Sequence, residues 1–415
     1  MRVAVVGTGV SGMVAAYLLS RSHDVVVFEA NDWVGGHAHT VSVDLAGATY
    51  DVDTGFVVYN ERTYPNFSKL LERLGVDTQP TDMSFSVRCE ATGFEYSGGS
   101  LAGLFAQRRN LVRPGFHRLL RDILRFNREA PALLDGEPDD PSIGEYLTTH
   151  GYSREFRDRY LVPMAAAVWS TRPTLTADFP ARYLVRFFLR HGFLQLTGRP
   201  QWRTITGGAR RYVEALTRPY RDRIRLECPV ERIRRHPDHV DVTVRGGPTE
   251  RFDRVVVAVP GARTLGLLAD ASPEERDVLS AFADEENELV LHTDASLLPA
   301  SRRAWASWNA HLDPRSERVA VTYDMSRLQR LASPEPFCIT LNRSTAIDPR
   351  RILRRFVYSH PLYTHEAIQA QKRRDGISGV RRTHYCGAYW GYGFHEDGVD
   401  AALAVAREFG EVLNA

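Results

Sequence analysis

The residues with the clearest chemical potential lie in the first thirty positions. The glycines of Gly7–Gly12 follow an apolar run of β-type residues and open a helix-type stretch, Met13 to Ser20. A second strand pattern, Asp24 to Phe28, ends at Glu29. Glycines in this spacing let the backbone approach a pyrophosphate at a helix N-terminus, and an acid about twenty residues later can bind a ribose. The pattern predicts a dinucleotide-binding βαβ unit, and Glu29 favours free ribose hydroxyls, as in NAD or FAD.

Two further segments repeat this chemistry. Gly35 and Gly36 come shortly after the acid, where they let the backbone close over the same pyrophosphate. The run Tyr385 to Gly398 reads as a strand followed by a loop of glycine and aromatic residues, and Val399 to Leu413 reads as a helix. A second helix N-terminus behind a glycine loop again suits an anion or a carbonyl-like acceptor.

Periodic patterns predict the elements that hold these segments. Val41 to Tyr50 alternates like one strand, and Thr63 to Leu74 reads as an amphipathic helix capped by Thr63. Leu101 to about Trp169 is helical, and Ile224 to Glu250 reads as short strands. We therefore expect an α/β fold: a Rossmann-like nucleotide domain with a parallel sheet in three layers, and an inserted mixed α+β substrate domain.

The domain boundaries follow from where the nucleotide motifs stop and return. We expect residues 1–80, 205–265 and 376–415 to form the nucleotide-binding domain. Residues 81–204 and 266–375 would form the substrate domain, with a helical part at 101–170.

Composition excludes several classes of protein. The 415 residues have an ordinary hydrophobic content of 43% and a net charge of +2, which leaves no overall nucleic-acid footprint. The four cysteines are scattered without metal-ligand spacing, so we expect free thiols and no metal site. No apolar run reaches the roughly 18–20 residues that span a bilayer. The first strand pattern leaves no room for a signal peptide, and we expect a cytoplasmic protein.

Three separated segments together resemble one superfamily. They are VAVVGTGVSG…VVVFEA…VGG, CPVERI…DRVVVAVP and CGAYWGYGFHEDGV, and their order covers the chain. The chain resembles the FAD-dependent amine oxidase, protoporphyrinogen oxidase and phytoene desaturase superfamily. Three segments are similar to flavoproteins found beside cyclopropane-fatty-acid-synthase-like methyltransferases: VDTGFVVYNERTYPNF, MAAAVWST and CGAYWGYGFHEDG.

The resemblance implies non-covalent FAD and assigns its contacts. It puts the pyrophosphate at the first glycine turn, the ribose at Glu29, the adenine at the Val230 backbone and the flavin against Gly55 and Phe56. Where members usually carry an arginine after the glycine pair, this chain has His37. The implied cofactor contacts are Gly7, Gly9, Val10, Ser11, Gly12, Glu29, Ala30, Gly35, Gly36, His37, His39, Thr40, Gly55, Phe56, Val57, Val230, Gly387, Glu396, Asp397, Gly398 and Val399.

A flavin carries the redox step, so the protein has to position a substrate C–H bond and manage one proton. His395, His360 and Tyr59 are the candidate catalytic residues, although a buried histidine is more often structural. Glu396 is better explained by helix capping or phosphate orientation than by catalysis. The candidate pocket residues, for which core packing is the competing explanation, are Trp169, Trp202, Tyr389, Trp390 and Tyr392.

Four functions stay open at this point. The first is an FAD-dependent oxidoreductase acting on a C–C bond of a lipid acyl chain, by desaturation or dehydrogenation. The others are an amine oxidase, a flavin-dependent double-bond isomerase and a non-catalytic FAD-bound partner of a methyltransferase. Many amine oxidases of the superfamily use a lysine near the flavin, whereas this chain has only Lys69, on a surface-type helix, and Lys372, in a charged run. This disfavours the amine oxidase without excluding it.

Two arginine-rich stretches bear on partners. Gln107 to Glu129 and Arg182 to Arg190 interleave arginine with leucine, isoleucine and phenylalanine. Such helices can lie on an anionic membrane surface, but a solvated face of an arginine-rich protein is slightly favoured. We expect a hydrophobic or lipid-like substrate, with a methyltransferase partner and peripheral contact with the inner membrane face as further options.

Overall fold

The computed structural model describes residues 1–135, 140–313, 318 and 320–413. Its strands are numbered in chain order: β1 Arg2–Val6, β2 Asp24–Phe28, β3 Thr40–Leu45, β4 Ala48–Asp53, β5 Val58–Asn60, β6 Thr78–Pro80, β7 Phe85–Cys89, β8 Phe94–Ser97, β9 Trp202–Ile205, β10 Ile224–Arg225, β11 Val230–Arg235, β12 Val240–Val244, β13 Thr249–Phe252, β14 Arg254–Val257, β15 Asp284–His292, β16 Trp308–Leu312, β17 Ala320–Asp324, β18 Cys338–Leu341, β19 Ile352–Pro361 and β20 Thr383–Tyr385.

The helices connect these strands and build a block between β8 and β9. They are α1 Val10–Leu19, α2 Pro65–Arg73, α3 Leu101–Leu104, α4 Pro114–Glu129, α5 Ile143–Thr149, α6 Arg154–Phe156, α7 Val162–Trp169, α8 Pro173–Ala177, α9 Ala181–Arg190, α10 Arg210–Thr217, α11 Gly261–Leu267, α12 Pro273–Leu279, α13 Met325–Leu328, α14 His365–Gln371 and α15 His395–Glu408.

A five-stranded parallel sheet in the order β10-β2-β1-β14-β20 lies at the centre of the nucleotide side. Alternate residues of β1 face opposite layers, as the pleat requires. Val3 and Val5 pack against α1 and α15, whereas Ala4 and Val6 pack toward the meander β11–β13 and α12. These three layers confirm the predicted Rossmann-like α/β class.

A second, mixed sheet has seven strands in the order β19-β15-β18-β17-β16-β7-β8. Its strands come from chain segments up to 276 residues apart, from Phe85 to Pro361, and the predicted helical part 101–170 covers its β7–β8 end. Residues 136–139 of that part lie outside the description. No helix among the described residues is long and apolar enough to cross a lipid bilayer.

Three local predictions are wrong. The predicted strand Val41–Tyr50 is a hairpin, because Ala46 and Gly47 both adopt positive φ, 51° and 83°, and turn the chain between β3 and β4. The last helix begins at His395 and not at Val399. Thr63 does not cap α2, whose N-cap is Tyr64 without a side-chain hydrogen bond.

Candidate active site: a dinucleotide cleft with an aromatic wall

The first glycine turn has no room for side chains. A Cβ on Gly7, at φ +101°, would lie 2.6 Å from the Ala258 carbonyl oxygen, and one on Gly12 would lie 2.0 Å from that of Gly7. Such distances cannot be relieved because both partners are backbone atoms. A Cβ on Gly9 meets nothing within 4 Å, so this residue presents open backbone at the N-terminus of α1.

Two more glycine segments converge on the same point. A Cβ on Gly36 would lie 3.0 Å from the Gly9 Cα, and one on Gly398 would lie 2.5 Å from Val10 Cγ1. The N-termini of α1 and α15 therefore meet, and their unbonded N–H groups and helix dipoles favour negative charge there. Ser11, on α1, also borders the contact, 2.9 Å from the position of that Gly398 Cβ.

Glu29, the acid predicted to bind the ribose, is buried beside the loop that precedes Val230. One Glu29 carboxylate oxygen accepts from the Thr8 amide at 2.9 Å and from the Thr8 hydroxyl. The other accepts from the Asn31 amide at 2.9 Å and from its side chain at 2.8 Å. The Glu29 carbonyl accepts from Cys228 N at 2.8 Å, which brings the loop before Val230 alongside. The Thr8 and Asn31 side chains are the donors that can rotate away for a ribose.

His37 occupies the position after the glycine pair. Its Nε2 atom is buried and, among the described residues, finds no hydrogen-bond partner. Burial lowers its pKa despite a hydrogen bond with the Ser359 backbone, so the ring is neutral. The rings of Tyr358 and His360 lie 5.1 and 5.4 Å away. A buried, unsatisfied ring nitrogen beside Gly36 is what a group bound in this cleft would satisfy.

His395 lies on the other side of the same region. Its ring stacks on Phe56 at 3.5 Å, and its Nε2 lies 2.9 Å from the Tyr212 hydroxyl. Burial and then the nearby His37 lower its pKa to about 3. His395 is therefore neutral, and a base this weak accepts a proton poorly at neutral pH.

His360 sits in a fixed hydrogen-bond chain. The Asn342 side chain donates to Asn287 Oδ1 at 2.6 Å, and Asn287 Nδ2 lies 3.0 Å from His360 Nδ1. In this arrangement Nδ1 accepts and Nε2 carries the hydrogen. Burial lowers the pKa of His360 to about 3, so the ring is a hydrogen-bond donor rather than a base.

The two acids that begin the last helix have different surroundings. Glu396 accepts from the Asn66 and Phe67 amides at 2.8 and 2.9 Å, so it caps α2 across 329 residues or more. Asp397 accepts from the Phe394 amide at 2.9 Å and caps its own helix. Burial raises the pKa of Glu396 to about 7 and that of Asp397 to about 6.

Asp397 also faces a group of tyrosines. Burial first, and the charge of Asp397 second, raise the pKa of Tyr363 well above its usual range. The Tyr363 hydroxyl is buried, has no partner among the described residues, and would lie 2.3 Å from a Cβ on Gly393. Tyr183 donates to the Gly391 carbonyl at 3.2 Å, next to the Asp397 carboxyl.

The aromatic residues of the last loop separate into two groups. Tyr392 packs 4.6 Å from Tyr183 and 5.5 Å from Phe187, and Trp169 donates to the Tyr392 carbonyl at 3.2 Å. These rings, with Phe394 5.0 Å from Phe187, form an aromatic wall in the core of the helical block. Of these wall residues, the sequence pointed to Trp169 and Tyr392, and nothing in it marks the α9 rings as their neighbours.

Other predicted pocket residues face elsewhere. Tyr389 and Trp390 lie 4.8 and 4.9 Å from Phe282, in the core behind the parallel sheet. Trp202 is half-buried on β9 near Tyr64, at 6.4 Å. Tyr59 is buried against Phe67 at 5.4 Å, in the core that surrounds α1. The structure does not bring these four residues to the aromatic wall.

Several predicted cofactor contacts have hydrogen-bond partners within the protein. The Thr40 hydroxyl donates to Asp53 Oδ1 at 2.5 Å and accepts from Arg210 N at 2.9 Å. His39 Nδ1 lies 2.8 Å from the Tyr358 hydroxyl, and its ring stacks on Trp33 at 4.5 Å. The remaining predicted contacts are divided between exposed Ala30, half-buried Gly55 and Val57, and buried Gly35, Gly387 and Val399.

Asp53 is a residue that sequence reasoning missed. Its Oδ1 also accepts from Ala209 N at 2.9 Å, its Oδ2 from Gln329 Nε2 at 3.0 Å, and burial raises its pKa to about 7. A Cβ on Gly208 would lie 3.1 Å from that Oδ1. Asp53 thus ties the turn before α10 to the strand that leads into Gly55, and the spacing Asp-x-Gly was its only signal.

These features fit FAD. Three glycine turns leave backbone exposed where two helix N-termini meet, an acid lies at the ribose position, and His37 Nε2 lacks a partner. Cys386 is buried in the sheet behind the glycine loop, with a pKa raised by burial to about 12, so it is no flavin nucleophile. The fold and the cleft define the class of FAD-dependent oxidoreductases.

Comparison with known proteins gives the family. The model of the flavin containing amine oxidoreductase family matches residues 10–280. AofH of Mycobacterium tuberculosis, which bears the name of a flavin-containing monoamine oxidase, is 30% identical over 278 residues, covering 65% of this chain and 59% of AofH. The chain therefore belongs to the flavin containing amine oxidoreductase family, and its cofactor is FAD.

Solved structures extend the likeness to the whole chain. Putrescine oxidase bound to putrescine matches with a TM-score of 0.71 and 15% identity, covering 99% of both chains. A fatty acid isomerase of P. acnes that produces CLA matches with a TM-score of 0.69 and 16% identity, covering 98% of both. At these identities the likeness establishes the fold alone.

Proposed function

We propose that this chain is an FAD-dependent oxidoreductase that desaturates or dehydrogenates a C–C bond of a lipid acyl chain. The observation that carries the proposal is the aromatic wall. The last-loop residues Tyr392 and Phe394 pack directly on Tyr183, Phe187 and Trp169, inside the apolar core of the helical block. These aromatic rings offer a large apolar surface to an acyl chain.

The positions of the two lysines also favour lipid dehydrogenation over amine oxidation. Lys69 lies exposed on α2, and Lys372 is exposed with its Nζ bonded to Gln369 Oε1 at 2.9 Å. These are the chain's two lysines, so the lysine that many amine oxidases of the superfamily place near the flavin has no equivalent in the cleft. We expect Lys69→Met and Lys372→Met to leave turnover unchanged.

Dehydrogenation of –CH2–CH2– removes a hydride from one carbon and a proton from the next. FAD supplies the acceptor for the hydride. The proton needs a group whose pKa is close to the working pH, and we assign it to the Asp397 carboxylate, which faces the wall with a pKa of about 6. His395 and His360, neutral through burial, orient the substrate and the cofactor by hydrogen bonds.

An amine oxidase is the second candidate, favoured by the family and by one carboxylate. Glu285 Oε2 is buried and has no partner among the described residues, while its Oε1 accepts from Arg172 Nε at 2.6 Å. An ammonium group could satisfy Oε2, but Arg172 already balances the charge of this carboxylate. The fold shared with a fatty acid isomerase keeps a redox-neutral shift of a double bond as the third candidate.

Mass spectrometry of acyl chains distinguishes these functions. The FAD-loaded protein is incubated with bacterial phospholipid and a quinone as electron acceptor, and separately with a panel of amines. We expect acyl chains that are lighter by two hydrogens. An unchanged mass with a moved double bond would establish the isomerase, and an aldehyde from an amine would overturn the lipid assignment. A protein inactive on both, yet required by a methyltransferase, would be the accessory subunit.

A further inference from the structure

The helical block carries an exposed apolar tip formed by Leu101, Leu111 and Val112. Leu101 is 76% exposed, Leu111 is 52% exposed and Val112 is 81% exposed. All three lie within twelve residues, on α3 and on the 3-10 turn Arg108–Val112 that follows it. Large apolar side chains exposed at such short sequence separation are a candidate interaction surface.

Four exposed arginines lie near this tip along the chain or on the turn that packs against α3. The Arg109 guanidinium donates to the Gly93 carbonyl and to Gln107 Oε1, and Arg302 lies over the Trp305 ring. Arg108 and Arg109 belong to the same turn, and the turn Arg302–Ala304 packs on α3, where a Cβ on Gly103 would lie 3.4 Å from the Arg303 carbonyl oxygen. Within the described part of the chain, no carboxylate lies in ion-pair distance of Arg108, Arg109, Arg302 or Arg303. The acids of α4 are already engaged: Glu129 pairs with two arginines of that helix, and Asp122 is buried.

We propose that this surface docks on an anionic phospholipid bilayer, with Leu101, Leu111 and Val112 entering the interface and the four arginines binding lipid phosphates. The apolar side chains match the apolar part of the bilayer interface, and the nearby arginines match its negative charge. An acidic protein would match the charges but not the protruding apolar tip.

The exposed tip also borders the apolar core that contains the aromatic wall. Leu104 and Phe105 turn inward from the tip, and Phe105 lies 5.8 Å from Phe116. The apolar core that begins there continues to Trp169 and Tyr392 of the aromatic wall. An acyl chain leaving the bilayer here would stay in apolar surroundings; this second step rests on the proposed function, whereas the docking itself does not.

Vesicle sedimentation tests the docking without turnover. The FAD-loaded protein is mixed with phosphatidylcholine vesicles, with and without phosphatidylglycerol, at low and high salt. We expect binding only to the anionic vesicles and its loss at high salt. The variant Val112→Ser/Arg108→Glu should lower the partition coefficient about tenfold, because one interfacial residue is lost and one cation is reversed.

A matched control lies at the opposite edge of the seven-stranded sheet, roughly 29 Å away by six strand spacings. Val357→Ser/Arg354→Glu makes the same changes at a 63% exposed valine and should bind like the parent. Leu101→Ser/Arg109→Glu gives a second test variant, and flavin content and thermal unfolding check that each is folded.

Absence of binding by the parent would overturn the proposal and leave an acidic protein or solvent as the occupant. Equal loss in the test and control variants would also overturn it. If lipid dehydrogenation fails while vesicle binding holds, the proposed function is wrong and the docking stands.

Discussion

The two sides of the flavin cleft are built differently. On the nucleotide side, backbone touches backbone: Gly12 against Gly7, and Gly36 against Gly9. On the substrate side, rings from α7, α9 and the last loop pack on one another at 4.6–5.5 Å. The nucleotide side therefore tolerates almost no substitution, whereas the substrate side can be remodelled by exchanging rings. This difference explains how one family shares FAD and differs in substrate.

The largest effect is expected where backbone touches backbone. Gly12→Ala would place a Cβ 2.0 Å from the Gly7 carbonyl oxygen, so the turn must open and the α1 N-terminus must move. We expect at least a 100-fold loss of FAD affinity, on the order of the several kcal/mol that a backbone clash costs. Flavin absorbance after gel filtration measures it. Gly266→Ala, whose Cβ meets nothing within 4 Å, is the control and should keep its flavin.

The adjacent acids Asp397 and Glu396 allow a test of which carboxylate at the start of the last helix accepts the proton. Asp397→Asn keeps a helix-capping oxygen but removes the proton acceptor, so we expect flavin reduction by substrate to slow about 100-fold. In the parent, the rate should fall as the pH drops below about 6, where Asp397 becomes protonated. Stopped-flow absorbance of the flavin measures both.

Glu396→Gln is the matched control for that variant. It retains an acceptor for one of the two α2 amides, which donate to different Glu396 oxygens, and the flavin should be reduced at the parent rate. Equal slowing in both variants would show that the last helix acts only through its position, and the assignment of the proton to Asp397 would fail.

A smaller effect is expected at the ribose. Glu29→Gln exchanges charge-assisted hydrogen bonds for neutral ones, and we expect FAD to bind about tenfold more weakly, for roughly 1.4 kcal/mol. Fluorescence titration of the apoprotein with FAD gives the affinity. If riboflavin, which lacks the adenosine, were weakened equally, Glu29 would act on the fold rather than on the ribose.

The smallest effect concerns stability. Burial lowers the pKa of His311 on β16 to about 3, so below pH 6.5 the unfolded chain takes up a proton that the folded chain does not. His311 thus contributes stability above pH 6.5 that is lost as the pH falls, while Asp53 and Glu396, with pKa values raised to about 7, act in the opposite direction. His311→Gln should reduce the pH slope of the unfolding free energy by about one proton, as measured by urea unfolding. An unchanged slope would contradict the neutral state of this ring.

The same division explains what could be predicted from sequence. The glycine turns and the strand Asp24–Phe28 could be predicted from the sequence because their requirements are local. These requirements are a positive φ, a close approach of backbone or a run of buried β-branched residues. The turn at Ala46 was not, because alanine rarely adopts positive φ. The cap of α2 could not be foreseen either, since Glu396 lies more than 300 residues away.

The aromatic wall depends on such distant pairings throughout. Nothing in the sequence distinguishes Tyr389, which faces the core behind the sheet, from Tyr392, which faces the wall. Only the turn Ala388–Trp390 and the packing of α9 separate them. A motif thus predicted the cofactor, whereas only tertiary structure separates residues that look alike in the sequence.

The most direct test of the central claim is an anaerobic visible spectrum of the FAD-loaded protein during titration with bacterial phospholipid and, separately, with amines. Our account predicts that the flavin band bleaches with phospholipid and not with amines. Bleaching by an amine alone would contradict it and restore amine oxidation as the function. A protein that acquires no flavin band on addition of FAD would contradict the assignment of the cleft itself.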